Sequence, residues 1–167
     1  ASKLGAETGN PYEARAQTKL AVDIGSEFHA NVDNYIRYGT ISEDPIFMAW
    51  CNPVGAGREW VASETLVYHP ELRYGGTVDA ISLEGADGKR KTVLWDWKTV
   101  ARESWEVVEK YGPNKGKPRG SSLRWIKDCT QAAGYAKALK GMGSALEVAA
   151  ANICYVMRDG SYTVTEK

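Results

Sequence analysis

Apolar residues recur along the chain in two different periods. A helical period with few helix breakers covers residues 10–40 and residues 122–143. Short segments rich in Val, Ile, Tyr and Trp, bounded by turn residues, indicate strands instead. The predicted strands cover residues 59–69, 74–84, 91–100, 146–158 and 162–166. The order of helix, three strands, helix and further strands predicts an α/β or α+β sandwich with one sheet and flanking helices.

The third predicted strand carries two charged residues within an apolar sequence, TVLWDWKTV. Side chains alternate along a strand, so Asp96 and Lys98 share one face while Trp95 and Trp97 point to the other. A buried charge is costly unless it is paired. An isolated Asp-x-Lys is most simply a private ion pair at a strand end, and this interpretation stays open on the pattern alone.

Asp79 lies in a similar apolar run on the preceding strand. Asp87-Gly88 is a typical hairpin turn, and Asp79 and Asp96 are both about eight or nine residues from it. We therefore expect the two acids to be neighbours across the hairpin. Adjacent carboxylates repel each other, and a divalent cation that binds both removes the repulsion. Hard oxygen ligands of this kind suit Mg²⁺ or Mn²⁺.

Composition narrows the class of protein. A chain of 167 residues predicts a single domain, residues 1–167, with residues 1–10 as a flexible N-terminus without signal-peptide character. The three cysteines form no Cys-x-x-Cys motif, which argues against structural zinc, disulfides or an iron–sulfur cluster and favours a reducing, intracellular setting. No apolar run approaches 18 residues, so no membrane span is expected.

Residues 110–127 form a basic segment in a chain of zero net charge. They include six basic residues and no acid, together with Tyr111 and Trp125. Basic groups interleaved with aromatic rings suit single-stranded nucleic acid, through phosphate contacts and base stacking. A solvated loop is the alternative interpretation. The predicted DNA-binding residues are Lys115, Lys117, Arg119, Arg124, Trp125 and Lys127.

Five short motifs follow one another between residues 25 and 135. They are GSEFH with Gly25 and His29, SETLVYH with Glu64, GTVD with Gly76 and Asp79, DWK with Asp96 and Lys98, and QAAGY with Gln131 and Tyr135. In this order they resemble the PD-(D/E)XK nuclease superfamily. The resemblance is greatest to its RecB-type branch, which includes lambda-type phage exonucleases and the mitochondrial genome maintenance exonuclease. Val78 stands where the superfamily has its name-giving proline.

The resemblance implies a restriction-endonuclease-like core, a central mixed β-sheet flanked by helices, with one or two Mg²⁺ or Mn²⁺ ions. The implied metal ligands are His29, Asp79, Asp96 and the backbone carbonyl of Trp97. Glu64 is either an outer ligand acting through water or a solvent-facing strand acid. His69 is the rival histidine, and we expect it in a turn or behind the ligands.

The resemblance also implies catalytic roles for Asp79, Asp96, Lys98, Gln131 and Tyr135. Lys98 would orient or activate the attacking water, with a pKa lowered by desolvation and the nearby metal. Gln131 and Tyr135, four residues apart on one helix face, would hold the scissile phosphate or the lysine. The alternative is a helix-surface pair that packs on the sheet.

The implied function is a metal-dependent DNA nuclease of recombination, repair or replication, more an exonuclease than an endonuclease, which leaves 5′-phosphates. A structure-specific endonuclease and a non-catalytic nucleic-acid-binding module on the same scaffold are the alternatives. The expected partners are DNA, single-stranded in the active site, and a recombination or replication protein. The expected location is bacterial or phage-infected cytoplasm, or the mitochondrion. The missing four-cysteine motif excludes the iron–sulfur subgroup.

Overall fold

The structure, a computed structural model, describes residues 11–85, 90–101 and 120–166, without the side chains of residues 11, 120–125, 163, 165 and 166. The helices are α1 (Pro11–Tyr38), α2 (Pro45–Trp50), which continues into a π-helical turn at Cys51–Gly55, and α3 (Gly120–Gly141). The strands are β1 (Glu59–His69), β2 (Tyr74–Glu84), β3 (Lys91–Val100), β4 (Val148–Met157) and β5 (Tyr162–Glu166). The predicted bounds of the first three strands are confirmed.

The strands form one mixed sheet in the order β1-β2-β3-β4-β5. Neighbouring strands are antiparallel except for β3 and β4, which run parallel. A parallel pair needs a long crossover connection, and α3 lies within the segment that joins these two strands. The prediction of an α/β fold with a central mixed sheet flanked by helices is confirmed, with β3 at the centre.

Large aromatic side chains fill the core between the sheet and the first two helices. Trp95 and Trp97 of β3 stack on each other with ring centroids 5.3 Å apart, and both are buried. Trp50 of α2 meets the Trp97 ring at 5.3 Å, and Phe28 of α1 packs against Trp50. Burial of rings of this size stabilises the fold strongly. It also fixes the orientation of β3, so that Asp96 and Lys98 face the other way, as predicted.

Helix α3 packs on the opposite face of the sheet. Ala138 and Leu139 are buried there among Val67, Ile81 and Leu94. The helix comes so close to β2 that a Cβ atom at Gly76 would lie 2.5 Å from Cε1 of Tyr135. The glycine of the GTVD motif therefore makes room for the tyrosine of the QAAGY motif.

Replacing Gly76 by alanine is expected to displace the Tyr135 ring and to lower the free energy of unfolding by about 1–3 kcal/mol, because the ring leaves no space for the methyl group. Urea unfolding measures the change. Gly134→Ala is the matched control, since a Cβ atom there would lie 3.8 Å from its nearest neighbour, an ordinary contact within a helix. Equal stability of the two variants would contradict the steric explanation.

Among the described residues, none of the helices combines the length and the apolar character needed to cross a lipid bilayer.

Candidate functional site

Three carboxylates lie in a row across the first three strands. In the β1–β2 register, Ser63 pairs with Ala80 and Thr65 pairs with Val78, so that Glu64 is level with Asp79. In the β2–β3 register, Ala80 pairs with Trp95. Asp79 directly precedes Ala80 and Asp96 directly follows Trp95, so the two acids continue the same ladder. The expected closeness of Asp79 and Asp96 across the hairpin agrees with this register.

Helix α1 adds an imidazole to this row. Nδ1 of His29 lies 3.5 Å from Oε1 of Glu64 and 3.7 Å from Oδ1 of Asp79. One donor atom from each of the three residues lies within 4.8 Å of the others, so that the group could hold a metal ion. Asp79 is buried, whereas the His29 and Glu64 side chains are 31% and 36% exposed. We refer to His29, Glu64 and Asp79 as the triad.

The glycine of the GSEFH motif lets α1 approach the sheet beside the triad. A Cβ atom at Gly25 would lie 3.1 Å from Oγ1 of Thr99 on β3, which is tighter than an ordinary contact. An open groove of about 570 Å³ runs along this part of α1 past His29 and Glu64. Small residues on the helix thus leave space for a ligand directly beside the triad.

Asp79 is held in place by a backbone hydrogen bond. The N–H of Trp97 donates to Oδ2 of Asp79 at 2.6 Å. Burial raises the pKa of Asp79 to about 6, against the opposing effect of His29. The nearby charge of Asp96 raises this pKa further, and the Trp97 N–H and Lys98 oppose the rise. A cation in the triad would offset the cost of ionising this carboxyl group.

Asp96 and Lys98 form an ion pair next to the triad. Nζ of Lys98 lies 2.8 Å from Oδ1 and 2.6 Å from Oδ2 of Asp96, which is 4% exposed. Burial raises the pKa of Asp96 although Lys98 opposes the shift. For Lys98, burial acts to lower the pKa, but Asp96 outweighs it and the net direction is upward. Burial beside Asp96 therefore does not by itself lower the lysine pKa, because the carboxylate stabilises the ammonium form, and the lowering expected from a nearby metal ion stays a prediction.

Helix α3 extends this pair into a chain of polar contacts. Nζ of Lys98 lies 3.4 Å from Oε1 of Gln131, and Nε2 of Gln131 donates to the Tyr135 hydroxyl at 2.5 Å. The Asp96–Lys98 pair is thus not private. The structure brings Lys98, Gln131 and Tyr135 together as the motifs predicted. These contacts fix the Lys98 ammonium group, which can donate hydrogen bonds to a ligand.

Asp128 and Tyr155 also belong to this neighbourhood, although neither lies in one of the five sequence motifs. Asp128 is 4% exposed, and the Tyr155 hydroxyl donates to its Oδ2 at 2.7 Å. The charge of Asp128 raises the pKa of both Asp96 and Lys98. Asp128 precedes Gln131 by three residues and so shares its helix face, which is the one signal available in the sequence.

The other predicted residues lie as follows. Asp96 pairs with Lys98 and is not part of the triad. Trp97 presents its N–H to Asp79, and the role of its carbonyl stays a prediction. His69 lies at the turn after β1, where its Nδ1 accepts from the Leu72 N–H. Lys127 is exposed on α3, Lys115, Lys117 and Arg119 lie outside the described residues, and Arg124 and Trp125 lie where no side chain is described.

Comparisons with known proteins do not assign the chain to a family. No family model matches the sequence, and no curated protein is significantly similar to it. The geometry of the triad and of the lysine beside it is therefore the basis for inferring a function.

Proposed function

We propose that this protein is a metal-dependent DNA nuclease of the PD-(D/E)XK type, an exonuclease that hydrolyses phosphodiester bonds and leaves 5′-phosphates. The observation that supports the proposal most is the position of the triad beside a buried Asp96–Lys98 pair. The same residues occur in the five ordered motifs. A cluster of potential metal ligands next to a fixed ammonium group suits a reaction at a negatively charged phosphodiester.

The two carboxylates of the triad are ligands that suit Mg²⁺ or Mn²⁺, and the imidazole offers a third donor atom. When bound, the ion supplies Lewis-acid stabilisation of the phosphate and of the leaving oxygen, and it favours ionisation of a bound water. His29, Glu64 and Asp79 would hold the ion. Asp96 is near enough to act electrostatically on Asp79, and it would be the further ligand if a second ion were bound.

Lys98 acts on the substrate in this mechanism. Its ammonium group, held by Asp96 and Gln131, donates a hydrogen bond to the scissile phosphate and orients the attacking water for in-line displacement. Tyr135 fixes the Gln131 amide and thereby the position of the lysine. Lys127 and the basic residues of the preceding segment supply positive charge for contacts with the DNA backbone.

Purified protein with Mg²⁺ or Mn²⁺ should degrade end-labelled linear DNA and should stop when the metal is chelated. Substrates blocked at the 5′ end, blocked at the 3′ end, or circular and single-stranded resolve the mode of cleavage. Cleavage of the circular DNA would show that the protein is a structure-specific endonuclease and not an exonuclease. Binding of DNA without hydrolysis would support the alternative of a non-catalytic nucleic-acid-binding module. A protein that neither binds nor hydrolyses DNA would refute the proposal.

Metal binding is expected to depend on pH because the Asp79 carboxyl group, with a pKa of about 6, must lose its proton to bind the ion. The apparent affinity for Mn²⁺ should rise by about fivefold between pH 5 and pH 6 and by about tenfold between pH 5 and pH 7, and then level off, since the fraction of ionised Asp79 limits it. Isothermal titration calorimetry at pH 5.0 and 7.5 measures the difference. Equal affinities at the two pH values would contradict the assignment of Asp79 as a ligand.

A further inference from the structure

Glu64 is the member of the triad whose backbone has an unfavourable conformation. Its φ is 46°, in the left-handed region, although its neighbours Ser63 and Thr65 are paired with β2. Residues other than glycine rarely adopt this region, and such a conformation persists when the surroundings hold it. A residue in the left-handed conformation within a strand interrupts the regular alternation of side chains and changes the direction of its own side chain. The Glu64 carboxylate lies 3.5 Å from His29 in this conformation.

Helix α1 contacts the residue before Glu64 at its hydroxyl and at its carbonyl oxygen. The Ser63 hydroxyl donates to Oδ1 of Asp33 at 2.5 Å, and Nη2 of Arg37 donates to the Ser63 carbonyl oxygen at 3.0 Å. Nε of Arg37 donates to the same Asp33 oxygen at 2.5 Å, which closes the network. We refer to Asp33, Arg37 and Ser63 as the clamp.

The clamp acts on the bond that is strained. The Ser63 carbonyl belongs to the planar peptide group that ends at the Glu64 nitrogen, and φ of Glu64 is the rotation of the chain about the next bond. A hydrogen bond to that carbonyl fixes the plane from which this rotation starts. His29, Asp33 and Arg37 are spaced by four residues, so that one side of α1 carries both the imidazole of the triad and the clamp.

We propose that Asp33, Arg37 and Ser63 are positioning residues that hold Glu64 in its metal-binding orientation. This inference rests on the proposed function, because it requires a divalent cation in the triad. None of the three touches the ion. They act by holding the Ser63–Glu64 peptide, so that the Glu64 carboxylate is already directed at His29 and Asp79 before the ion arrives. A preorganised ligand binds more tightly than one that must be ordered on binding.

The direction in which one substitution changes the affinity for Mn²⁺ distinguishes a positioning role from a purely electrostatic one. Arg37→Met removes a positive charge about 12 Å along the helix from His29, eight residues away. If Arg37 acted on the ion through its charge alone, its removal would strengthen the binding of Mn²⁺. Loss of the clamp predicts the opposite, a weakening by roughly tenfold, which is typical when a residue that orients a metal ligand is removed. Ser63→Ala changes no charge and should weaken binding in the same direction.

The experiment is calorimetric titration of the full chain with Mn²⁺ at pH 7.5, for the wild type, Arg37→Met and Ser63→Ala. Arg15→Met is the matched control, an exposed arginine of α1 about 21 Å along the helix from His29, and its affinity should equal that of the wild type. In a Glu64→Gln background, Arg37→Met should have no further effect, because the clamp acts through Glu64.

Two results would overturn the inference while the proposed function stands: wild-type binding of Mn²⁺ with unchanged or tighter binding by Arg37→Met, or an equal loss on Arg37→Met in the Glu64→Gln background. A wild type that binds no Mn²⁺ would overturn the metal site itself. Thermal unfolding with chelator present shows whether each variant is folded at the titration temperature, and Ser63→Ala decides the question if Arg37→Met is not.

Discussion

Replacement of Lys98 by methionine is expected to lower the rate of DNA hydrolysis by roughly 10²–10³-fold, the usual cost of removing one preorganised donor from a site where charge develops. Lys98 is held by the buried Asp96 carboxylate and by Gln131, so that its ammonium group needs no reorganisation during the reaction. Methionine keeps most of the length of the side chain and removes the charge. The affinity for Mn²⁺ should fall little, because Lys98 is not part of the triad.

Two controls make the Lys98 result specific. Lys91→Met alters an exposed lysine at the other end of the same strand and should leave the rate unchanged. Lys98→Met leaves the buried Asp96 without its cation, at a cost of about 3–5 kcal/mol in stability. The double variant Asp96→Asn/Lys98→Met removes that cost and should regain stability without regaining activity. Full activity of Lys98→Met would remove this lysine from the mechanism.

Replacement of Asp79 by asparagine is expected to abolish metal binding and activity while it stabilises the protein without metal. The variant loses an ionised ligand, and its affinity for Mn²⁺ should fall by more than about a hundredfold, since even residues that only orient ligands contribute tenfold to a hundredfold. Asparagine retains a side-chain carbonyl that can accept the Trp97 N–H, so that the backbone contact of Asp79 is preserved.

The gain in stability follows from the raised pKa of Asp79. Burial raises this pKa from 3.8 to about 6, so the ionised carboxylate is less favourable in the folded protein than in the unfolded chain. The resulting penalty is small at pH 4 and vanishes below it, grows as the pH rises to 6, and reaches about 3 kcal/mol above that pH. Asp79→Asn removes this penalty.

Urea unfolding in the presence of chelator tests this prediction. Asp79→Asn should be more stable than the wild type at pH 7.5 and nearly equal to it at pH 4. A variant less stable than the wild type at pH 7.5 would show that the carboxylate stabilises the fold without metal, which would contradict a raised pKa of Asp79.

The strands and the main site residues could be predicted from sequence because their signals are local. Glycine-containing segments precede β1 and separate β2 from β3, and alternation alone placed Trp95 and Trp97 opposite Asp96 and Lys98. A hairpin with a short turn also determines which residues face each other, and for this reason Asp79 and Asp96 could be placed close together. The ordered motifs then linked these strands to His29 and Gln131.

The features that the sequence did not reveal depend on packing between distant segments. Lys98 pairs with Tyr155 across the parallel β3–β4 ladder, and this register depends on how the crossover through α3 packs. Tyr155 in turn donates to Asp128, which a helix pattern marks only as one more polar residue. The contact of Arg37 with the Ser63 carbonyl joins residues 26 positions apart, and the left-handed backbone of Glu64 has no signature in its residue type.

The central claim is that the triad holds a divalent metal ion with which Lys98 and its neighbours hydrolyse DNA. The most direct measurement compares the hydrolysis of 5′-labelled linear DNA by the wild type and by Asp79→Asn with Mn²⁺, under conditions in which both proteins are folded. We expect the wild type to release products that carry 5′-phosphates, to stop on chelation, and to exceed Asp79→Asn by at least roughly a hundredfold. DNA that stays intact with the wild type, or that both proteins degrade equally, would contradict the claim.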